Sequence, residues 1–344
     1  MAYISFQPKD YFNTKLYTGN GGNQTITGVG FKPDWTWFKS RDAGNSHALV
    51  DIVRGTTKVL YSDTNSTEQT ISAQTFNSDG FALVQDGGAN SINSNGSTKV
   101  AWSWRASGTS GSSNTDGSTT STVSANTTAG FSIVKYTNPS SGSPFTVGHG
   151  LGSPPKVIMV KNITGSAQNW GVWHTGIGFG KYLQLNTTIA EASANLVTAT
   201  SNTTFSTYSD HHTSGVDLIA YCFAEKKGFS RFGSYVGNGS VSGPFIYTGF
   251  KPAFFLWKRS NSTGGWYQMD SVRDTYNPVE KTLGANDSSA ESAFGTGNDT
   301  DFFSNGLKIR STGGDINTSG GTYIYMAFAE EPLVSSNGVP NTAR

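Results

Sequence analysis

The chain has 344 residues, of which 14% are charged and 42 are glycine. This length suits two or three domains, and a polar surface made of hydroxyl and amide groups favours β-structure joined by many turns. Basic residues (24) nearly balance acidic ones (23) and form no basic run, so we expect no nucleic-acid partner.

The first thirteen residues, MAYISFQPKDYFN, precede the repeated part of the sequence. They lack the basic segment followed by an apolar segment that a secretory signal has. Nowhere do about 18 apolar residues run together. We therefore expect neither a signal peptide nor membrane insertion.

A short phrase recurs along the chain. GFKPDWTWFKS begins at residue 30, GHGLGSPPKVIMVKN at residue 148 and GFKPAFFLWKRS at residue 249. Each phrase has a proline followed six residues later by a lysine; the pairs are Pro33 and Lys39, Pro155 and Lys161, and Pro252 and Lys258. Upstream of each proline, a strand with a tyrosine runs into turn residues; the tyrosines are Tyr17, Tyr136 and Tyr235.

Each copy of the phrase is followed by a strand of alternating pattern, at 99–106, 217–225 and 322–330. The sequence predicts an all-β fold of three tandem antiparallel β-sandwich repeats, jelly-roll or lectin-like in type. The predicted repeats span 14–107, 130–226 and 227–332. Residues 108–129, rich in Ser, Thr and Gly, predict a flexible linker or surface strap, and 333–344 a C-terminal tail.

Two acidic residues recur at equivalent places. Asp51 and Asp270 are each followed three residues later by an arginine, Arg54 and Arg273, whereas the middle copy has a histidine, His174. A glycosidase would need two carboxylates facing each other across a cleft. Because arginine binds carboxylates well, we interpret the two Asp and Arg sets as structural ion pairs and predict no catalytic residues.

Metal and cofactor sites are not indicated. His211 and His212 beside Asp210 could contribute to a metal site, but neighbouring residues of a strand point to opposite faces. The Asp-rich and Asn-rich loops 284–291 and 295–303 offer oxygen ligands without the spacing of a known calcium loop. We expect no metal and, since phosphate-binding and dinucleotide-binding motifs are missing from the sequence, no cofactor.

Tryptophans offer the clearest candidates for binding. Trp35, Trp37, Trp102 and Trp104 alternate along strands and predict the core of the first sandwich. A second set follows turns rich in Gly or Gln, and it could either fill cores or stack on sugar rings. The candidate ligand-binding residues are Trp170, Trp173, Trp257, Trp266 and Tyr267.

Three blocks of the chain carry a family resemblance. TAGFSIVKYT with VGHGLGSPPKVIMVKN, DLIAYCFAEKKGFSRFGSYVGNG with GPFIYTGFKPAFFLWKRS, and SNGLKIR with TYIYMAFAE occur in this order. Together they resemble a repeated β-domain of tail-fibre-like and other virion structural proteins of tailed bacteriophages, especially those of marine bacteria. The resemblance spans about residues 14–332 and implies a component of a phage particle.

On this resemblance we expect a tail-fibre or adhesin subunit that binds host surface glycan or protein without catalysis. Residues 1–13 would then be an attachment arm that contacts other virion proteins through Phe6, Tyr11 and Phe12. Fibres commonly form symmetric homo-oligomers, and we expect a trimer. The alternative is a head decoration or other virion ornament with a purely structural role.

Overall fold

The computed structural model describes residues 6–71, 74–84, 92–139, 144–208, 213–291 and 297–330, and the backbone of 333–334 and 340–341. Nearly all regular structure is antiparallel β-sheet, which confirms the predicted all-β sandwich class. The sheets group into three units, each with one large sheet and one three-stranded sheet. The exact repeat boundaries predicted from the sequence stay predictions.

The first unit follows a short 3-10 helix, Pro8–Asp10. Its strands are β1 (Phe12–Thr18), β2 (Gln24–Thr27), β3 (Trp35–Ser40), β4 (Ala48–Asp51), β5 (Lys58–Tyr61), β6 (Gln69–Thr70), β7 (Gln74–Asn77), β8 (Gly80–Leu83) and β9 (Thr98–Trp104). The large sheet has the order β1-β9-β3-β4-β5-β6, and the small sheet has the order β2-β8-β7.

The second unit has the same plan with two additional strands at its start. Its strands are β10 (Ser112–Asn114), β11 (Ser121–Asn126), β12 (Phe131–Thr137), β13 (Pro144–Gly148), β14 (Val157–Asn162), β15 (Gly171–His174), β16 (Lys181–Gln184), β17 (Ala192–Ser193), β18 (Ala199–Thr200), β19 (Thr204–Tyr208) and β20 (Asp217–Phe223), with a 3-10 helix at Thr175–Ile177. The sheet orders are β10-β11-β12-β20-β14-β15-β16-β17 and β13-β19-β18.

The third unit completes the molecule. Its strands are β21 (Ser230–Val236), β22 (Phe245–Tyr247), β23 (Pro252–Arg259), β24 (Trp266–Asp270), β25 (Leu283–Gly284), β26 (Thr300–Phe303), β27 (Gly306–Ile309) and β28 (Thr322–Ala329), with the helix α1 (Gly314–Asn317). The sheet orders are β21-β28-β23-β24-β25 and β22-β27-β26. Beyond this unit, β29 (Leu333–Val334) pairs with β30 (Pro340–Asn341) in the region predicted as a tail.

Within residues 108–129, β10 and β11 belong to the large sheet of the second unit, so the prediction of a flexible linker is wrong for Ser112–Asn114 and Ser121–Asn126. β11 pairs with β12 over its whole length, from Ser121 opposite Tyr136 to Asn126 opposite Phe131. Val123 is buried, and Ser118 exchanges hydrogen bonds with Thr146. A Ser-rich and Thr-rich stretch suits a strand at a sheet margin, because little side-chain burial is needed where the backbone ladder is satisfied.

Every large sheet is buried on both faces. One face packs on the small sheet of the same unit, as Phe38 does with Phe81 and Ile26 in the first unit. The opposite faces of the three large sheets meet in one shared core, which we call the hub. The closing strands β9, β20 and β28 contribute alternate residues to it: Val100, Trp102, Trp104, Ile219, Tyr221, Phe223, Ile324, Met326 and Phe328.

The hub also holds the tryptophans that were expected in the core of the first sandwich. Trp35 and Trp104 lie with ring centroids 4.5 Å apart, and Trp35 stacks on Tyr221 of the second unit at the same distance. Alternation correctly predicts that these side chains share a face. That face is turned toward the other units rather than toward the small sheet, so the expected location is wrong.

A buried lysine joins each unit to a neighbouring one. Lys39 donates to the carbonyl of Ser288 at 2.8 Å, Lys161 to that of Asn65 at 3.0 Å and Lys258 to that of Thr188 at 3.3 Å. The three lysines are the ones that recur six residues after a proline, and they occupy matching places in β3, β14 and β23. The recurring spacing thus reflects a repeated contact between units.

Candidate binding surface

The four tryptophans proposed as sugar platforms are all buried, so that prediction is wrong for each of them. Trp170 and Trp266 are inter-unit contacts. The Trp170 indole donates to the Tyr61 carbonyl at 2.8 Å, and the Trp266 indole donates to the Gln184 carbonyl at 2.8 Å. A ring with no accessible face cannot stack on a ligand, whatever turn precedes it.

Trp173 and Trp257 face the cores inside their own units. The Trp173 indole donates to the Gly178 carbonyl at 2.9 Å, and the Trp257 indole donates to the Asp315 carbonyl at 3.0 Å. Tyr267 is half-buried and packs against Trp257, with ring centroids 5.6 Å apart. Burial, followed by the nearby Asp315, raises the pKa of Tyr267. This tyrosine therefore supports the third core rather than an open platform.

The structure brings both predicted ion pairs together. Arg54 Nε lies 2.5 Å from Asp51 Oδ2, and Arg273 Nε lies 2.5 Å from Asp270 Oδ2, with all four side chains fully buried. In each pair the aspartate also accepts backbone N–H groups two and three residues on. These contacts cap the turn after β4 and β24.

Each aspartate also accepts a hydrogen bond from a residue of another unit. Asp51 accepts a hydrogen bond from the Tyr221 hydroxyl at 2.8 Å, and Asp270 accepts one from the Trp102 indole at 3.1 Å. Trp102 and Tyr221 hold matching places in β9 and β20. The carboxylates thus have positioned structural partners on every side and are not presented to a cleft.

The neighbouring unit explains why the middle copy has a histidine where the other two copies have an aspartate. In strand register Met326 of β28 holds the place that Tyr221 holds in β20, and methionine has no hydrogen to donate. The His174 ring instead donates from Nε2 to the Tyr325 carbonyl at 3.0 Å and accepts from the Gly176 N–H at 2.9 Å. Burial lowers the pKa of His174 to about 4, so the ring is neutral. A carboxylate here would lack a donor from the neighbouring unit.

The residues predicted to attach the chain to a virion are folded against the body. Phe12 is buried in the hub as the first residue of β1. Phe6 and Tyr11 are partly buried and both make edge contacts with Phe229, at centroid distances of 5.5 and 6.4 Å. From Phe6 onward, then, the predicted arm is part of the fold, and the role of Phe12 as a free contact is wrong. Residues 1–5 lie outside the described residues.

Candidate metal ligands are only partly within the described ranges. Asp210, His211 and His212 lie outside them. In the described parts of the two candidate calcium loops, Glu291 binds Arg41 through two contacts of 2.9 Å, and Asp301 binds Arg310. Among the residues that the structure describes, His, Cys, Asp and Glu side chains form no group of three that could hold a metal ion.

A groove of about 400 Å³ lies between the start of the first unit and the third unit. Its walls include Phe12, Thr14, Ser271 and Glu330. Glu330 forms an ion pair with Lys251, so it is a compensated charge. With Lys9 and Asn13 also in its walls, the groove mixes charged, polar and apolar surface.

Exposed apolar side chains concentrate in the third unit. Among described residues, seven large apolar side chains are exposed, and all except Phe179 lie in this unit. Phe245 and Tyr247 are 46% and 60% exposed and alternate with the buried Ile246 on β22. Both therefore point away from the core, on the outer face of the small sheet.

The outer face continues across the two neighbouring strands. Phe303 on β26 lies with its ring centroid 6.3 Å from that of Phe245. Lys308 on β27 is opposite Phe245 on one side and Asp301 on the other. We call Phe245, Tyr247, Phe303 and Lys308 the aromatic patch.

The corresponding faces of the other units are different. By strand register, Thr25 and Thr27 of the first unit match Phe245 and Tyr247, and Ala82 matches Lys308. In the second unit, Thr146 matches Phe245. Since these small sheets fold with small polar residues on the outer face, folding alone does not require aromatic rings there.

Sequence reasoning missed this patch because Phe245-Ile246-Tyr247 is short and wholly apolar, which suggests a core strand. The available signal was the internal comparison with Thr25-Ile26-Thr27, where the outward positions are polar and only the middle one is apolar. Two outward aromatics in one copy mark a surface difference.

Similarity to known proteins places the chain in one family. In the ranges given above, no helix has the length and apolar character needed to span a bilayer. No curated protein and no solved structure matches the chain. One family, described as a domain of unknown function (DUF7483), matches residues 7–332. Because this match covers almost the entire sequence, the chain belongs to the DUF7483 family.

Proposed function

We propose that the chain is a non-enzymatic virion protein of a tailed bacteriophage, a tail-fibre or adhesin subunit that binds the host surface through the aromatic patch. The resemblance of the repeated blocks to virion proteins supports the particle location. The exposure of the Phe245 and Tyr247 rings is the observation that supports binding through this patch.

The patch favours binding because it has no evident role in the fold. Ile246, Leu307 and Phe302, on the inner face of the same small sheet, fill the core, whereas Phe245 and Tyr247 leave much of their apolar surface in water. Exposing such rings is unfavourable by about 25 cal/mol for each Å² that burial would remove from water. A binding partner would remove that surface from solvent.

The proposal extends to assembly with other virion proteins as a homo-oligomer, with a trimer expected. One small patch gives weak binding, and several copies on one particle turn it into firm adhesion through effective concentration. A virion ornament would instead make its contacts with the particle.

Gold-labelled antibody against the third unit, imaged by electron microscopy on intact particles, tests the location. The proposal expects label at the tail or its fibres. Label spread over the head would contradict the adhesin function and support the decoration alternative. Antibody against the first unit is the matched control, because it should label the same structure if the whole chain is exposed there.

A further inference from the structure

The aromatic patch has the composition of a small carbohydrate site with one positive charge. Its three strands span about 10 Å, since neighbouring strands lie about 4.8 Å apart. One row of residues across the sheet consists of Tyr247, Gly306 and Phe303. The next row consists of Phe245, Lys308 and Asp301. The first row is apolar and the second carries the charges.

A glycine gives the rings their arrangement. A Cβ added at Gly306 would lie 2.8 Å from the tip of the Phe245 ring and 2.3 Å from the Ile246 carbonyl oxygen. Phe245 therefore leans over bare backbone toward Phe303, with the two rings tilted by 45°. Gly306 itself is buried, so the surface offered to a ligand is that of the Phe245 and Tyr247 rings, a shallow apolar surface that suits the C–H face of a sugar.

The two charged side chains of the second row differ in whether they have an ion-pair partner. Asp301 is compensated by Arg310, with Oδ2 and Nε 2.5 Å apart. Lys308 lies beside them, and within the described ranges its ammonium group takes part in no hydrogen bond or ion pair. Its side chain extends from the outer face next to Phe245. The patch thus offers one uncompensated positive charge at the edge of an apolar surface.

We infer that this patch binds an acidic sugar, a hexuronic acid residue of a surface polysaccharide, with the pyranose ring against the aromatic rings and the carboxylate near Lys308. This inference rests on the proposed function and names its ligand class. A pyranose ring with a carboxylate at its rim matches an apolar surface with a cation at its rim. A second copy of this chain fits less well, because a two-fold contact would bring the same net positive patch against itself.

Calorimetric titration with a galacturonic acid hexamer tests the inference on the full chain, with a neutral glucose hexamer as the control sugar. We expect the uronic acid hexamer to bind and Lys308→Gln to weaken that binding by about tenfold or more, because the variant loses the charged hydrogen bond to the carboxylate. The double variant Phe245→Ser with Tyr247→Ser should abolish measurable binding. The matched double variant Thr25→Ala with Thr27→Ala, at the corresponding places of the first unit, should bind normally.

Unchanged thermal unfolding of all the variants is expected, since these are surface positions, and it shows that any loss of binding is local. Equal affinity for the neutral and acidic hexamers, or normal binding by Lys308→Gln, would overturn the inference. So would binding of dextran sulfate without binding of the uronic acid hexamer. If the acidic hexamer fails to bind while antibody still labels the tail, the ligand class is wrong and the proposed function stands.

Discussion

The Tyr221 hydroxyl of the second unit donates a hydrogen bond to the Asp51 carboxylate of the first unit at 2.8 Å, and both groups are buried. The Trp102 indole of the first unit makes the matching contact with Asp270 of the third unit. Between the second and third units, His174 reaches the Tyr325 carbonyl. The three contacts close a cycle around the hub, which gives each unit one donor or acceptor on each neighbour.

Removing one hydroxyl from this cycle should weaken the whole molecule. Tyr221→Phe keeps the ring in the hub and leaves Asp51 without its donor from the second unit. We expect a loss of about 1–3 kcal/mol in the free energy of unfolding, measured by urea denaturation. Tyr247→Phe, which removes an exposed hydroxyl, should change it by less than about 0.5 kcal/mol. Equal effects of the two changes would show that the cross-unit bond contributes nothing.

The explanation given for His174 predicts a failure and a rescue. His174→Asp would bury a carboxylate where the neighbouring unit has Met326 in the place of Tyr221. Ile177 holds the place that Arg54 and Arg273 hold in the other units. We expect a loss of about 3–5 kcal/mol, as for an uncompensated buried charge. Adding Ile177→Arg and Met326→Tyr would rebuild the set found between the first and second units.

Urea denaturation of the single and triple variants measures this rescue. The triple variant should recover part of the lost stability. A triple variant that is less stable than His174→Asp alone would contradict the donor-matching explanation. Ile177→Arg with Met326→Tyr in the parent chain is the control, since it adds the partners without the carboxylate.

Stability should rise with pH above neutrality because of the buried lysines. Burial lowers the pKa of Lys161 to about 7 and that of Lys39 to about 8, and burial followed by the neighbouring Arg259 lowers the pKa of Lys258 to about 8. In the unfolded chain lysine holds its proton up to about pH 10. Between these values the unfolded state binds more protons than the folded state, so the free energy of unfolding increases with pH.

Urea midpoints at about pH 7 and about pH 8.5 measure this dependence. Above this range the Cys222 thiol and the buried tyrosines, whose pKa values burial raises, ionise on unfolding and favour the unfolded state. Lys161→Met should show a smaller rise than the parent chain. A midpoint that falls with pH, or a rise that Lys161→Met leaves unchanged, would contradict the role assigned to these lysines.

The stretch 108–129 should behave as a sheet margin in solution. β11 forms a full ladder with β12, so we expect those of its amide hydrogens that face β12 to exchange slowly. Hydrogen exchange with mass spectrometry measures both strands in one experiment. The exposed turn at 164–167 is the internal control for fast exchange, since its N–H groups donate no backbone hydrogen bond to the described residues. Fast exchange throughout 121–126 would restore the linker interpretation.

Particular residues show how far the sequence could lead. The alternation of Trp35 with Trp37, and of Trp102 with Trp104, correctly predicts strands and shared faces. It could not say which core each face meets, because the adjacent Phe38 and Ala101, on the opposite face, are buried too. When both faces of a strand are buried, the alternation of side chains does not show which part of the protein packs on each face.

For the candidate binding residues, the sequence misled about exposure. Turns rich in Gly or Gln before Trp170 and Trp266 suggested exposure, whereas both rings are buried and donate to carbonyls of other units. Such contacts join residues far apart in the chain, so local patterns cannot predict them. Phe245 and Tyr247 were detectable in principle, since comparison of the copies shows threonine in their places in the first unit.

Phage adsorption tests the central claim most directly, namely that the aromatic patch touches the host. Particles carrying Phe245→Ser with Tyr247→Ser in this chain would be compared with particles carrying Thr25→Ala with Thr27→Ala, using the adsorption rate on host cells. We predict a fall of about tenfold or more for the patch variant, as expected on losing a central aromatic contact, and an unchanged rate for the control. Equal adsorption by the two particles, with both proteins incorporated in equal amounts, would contradict the account.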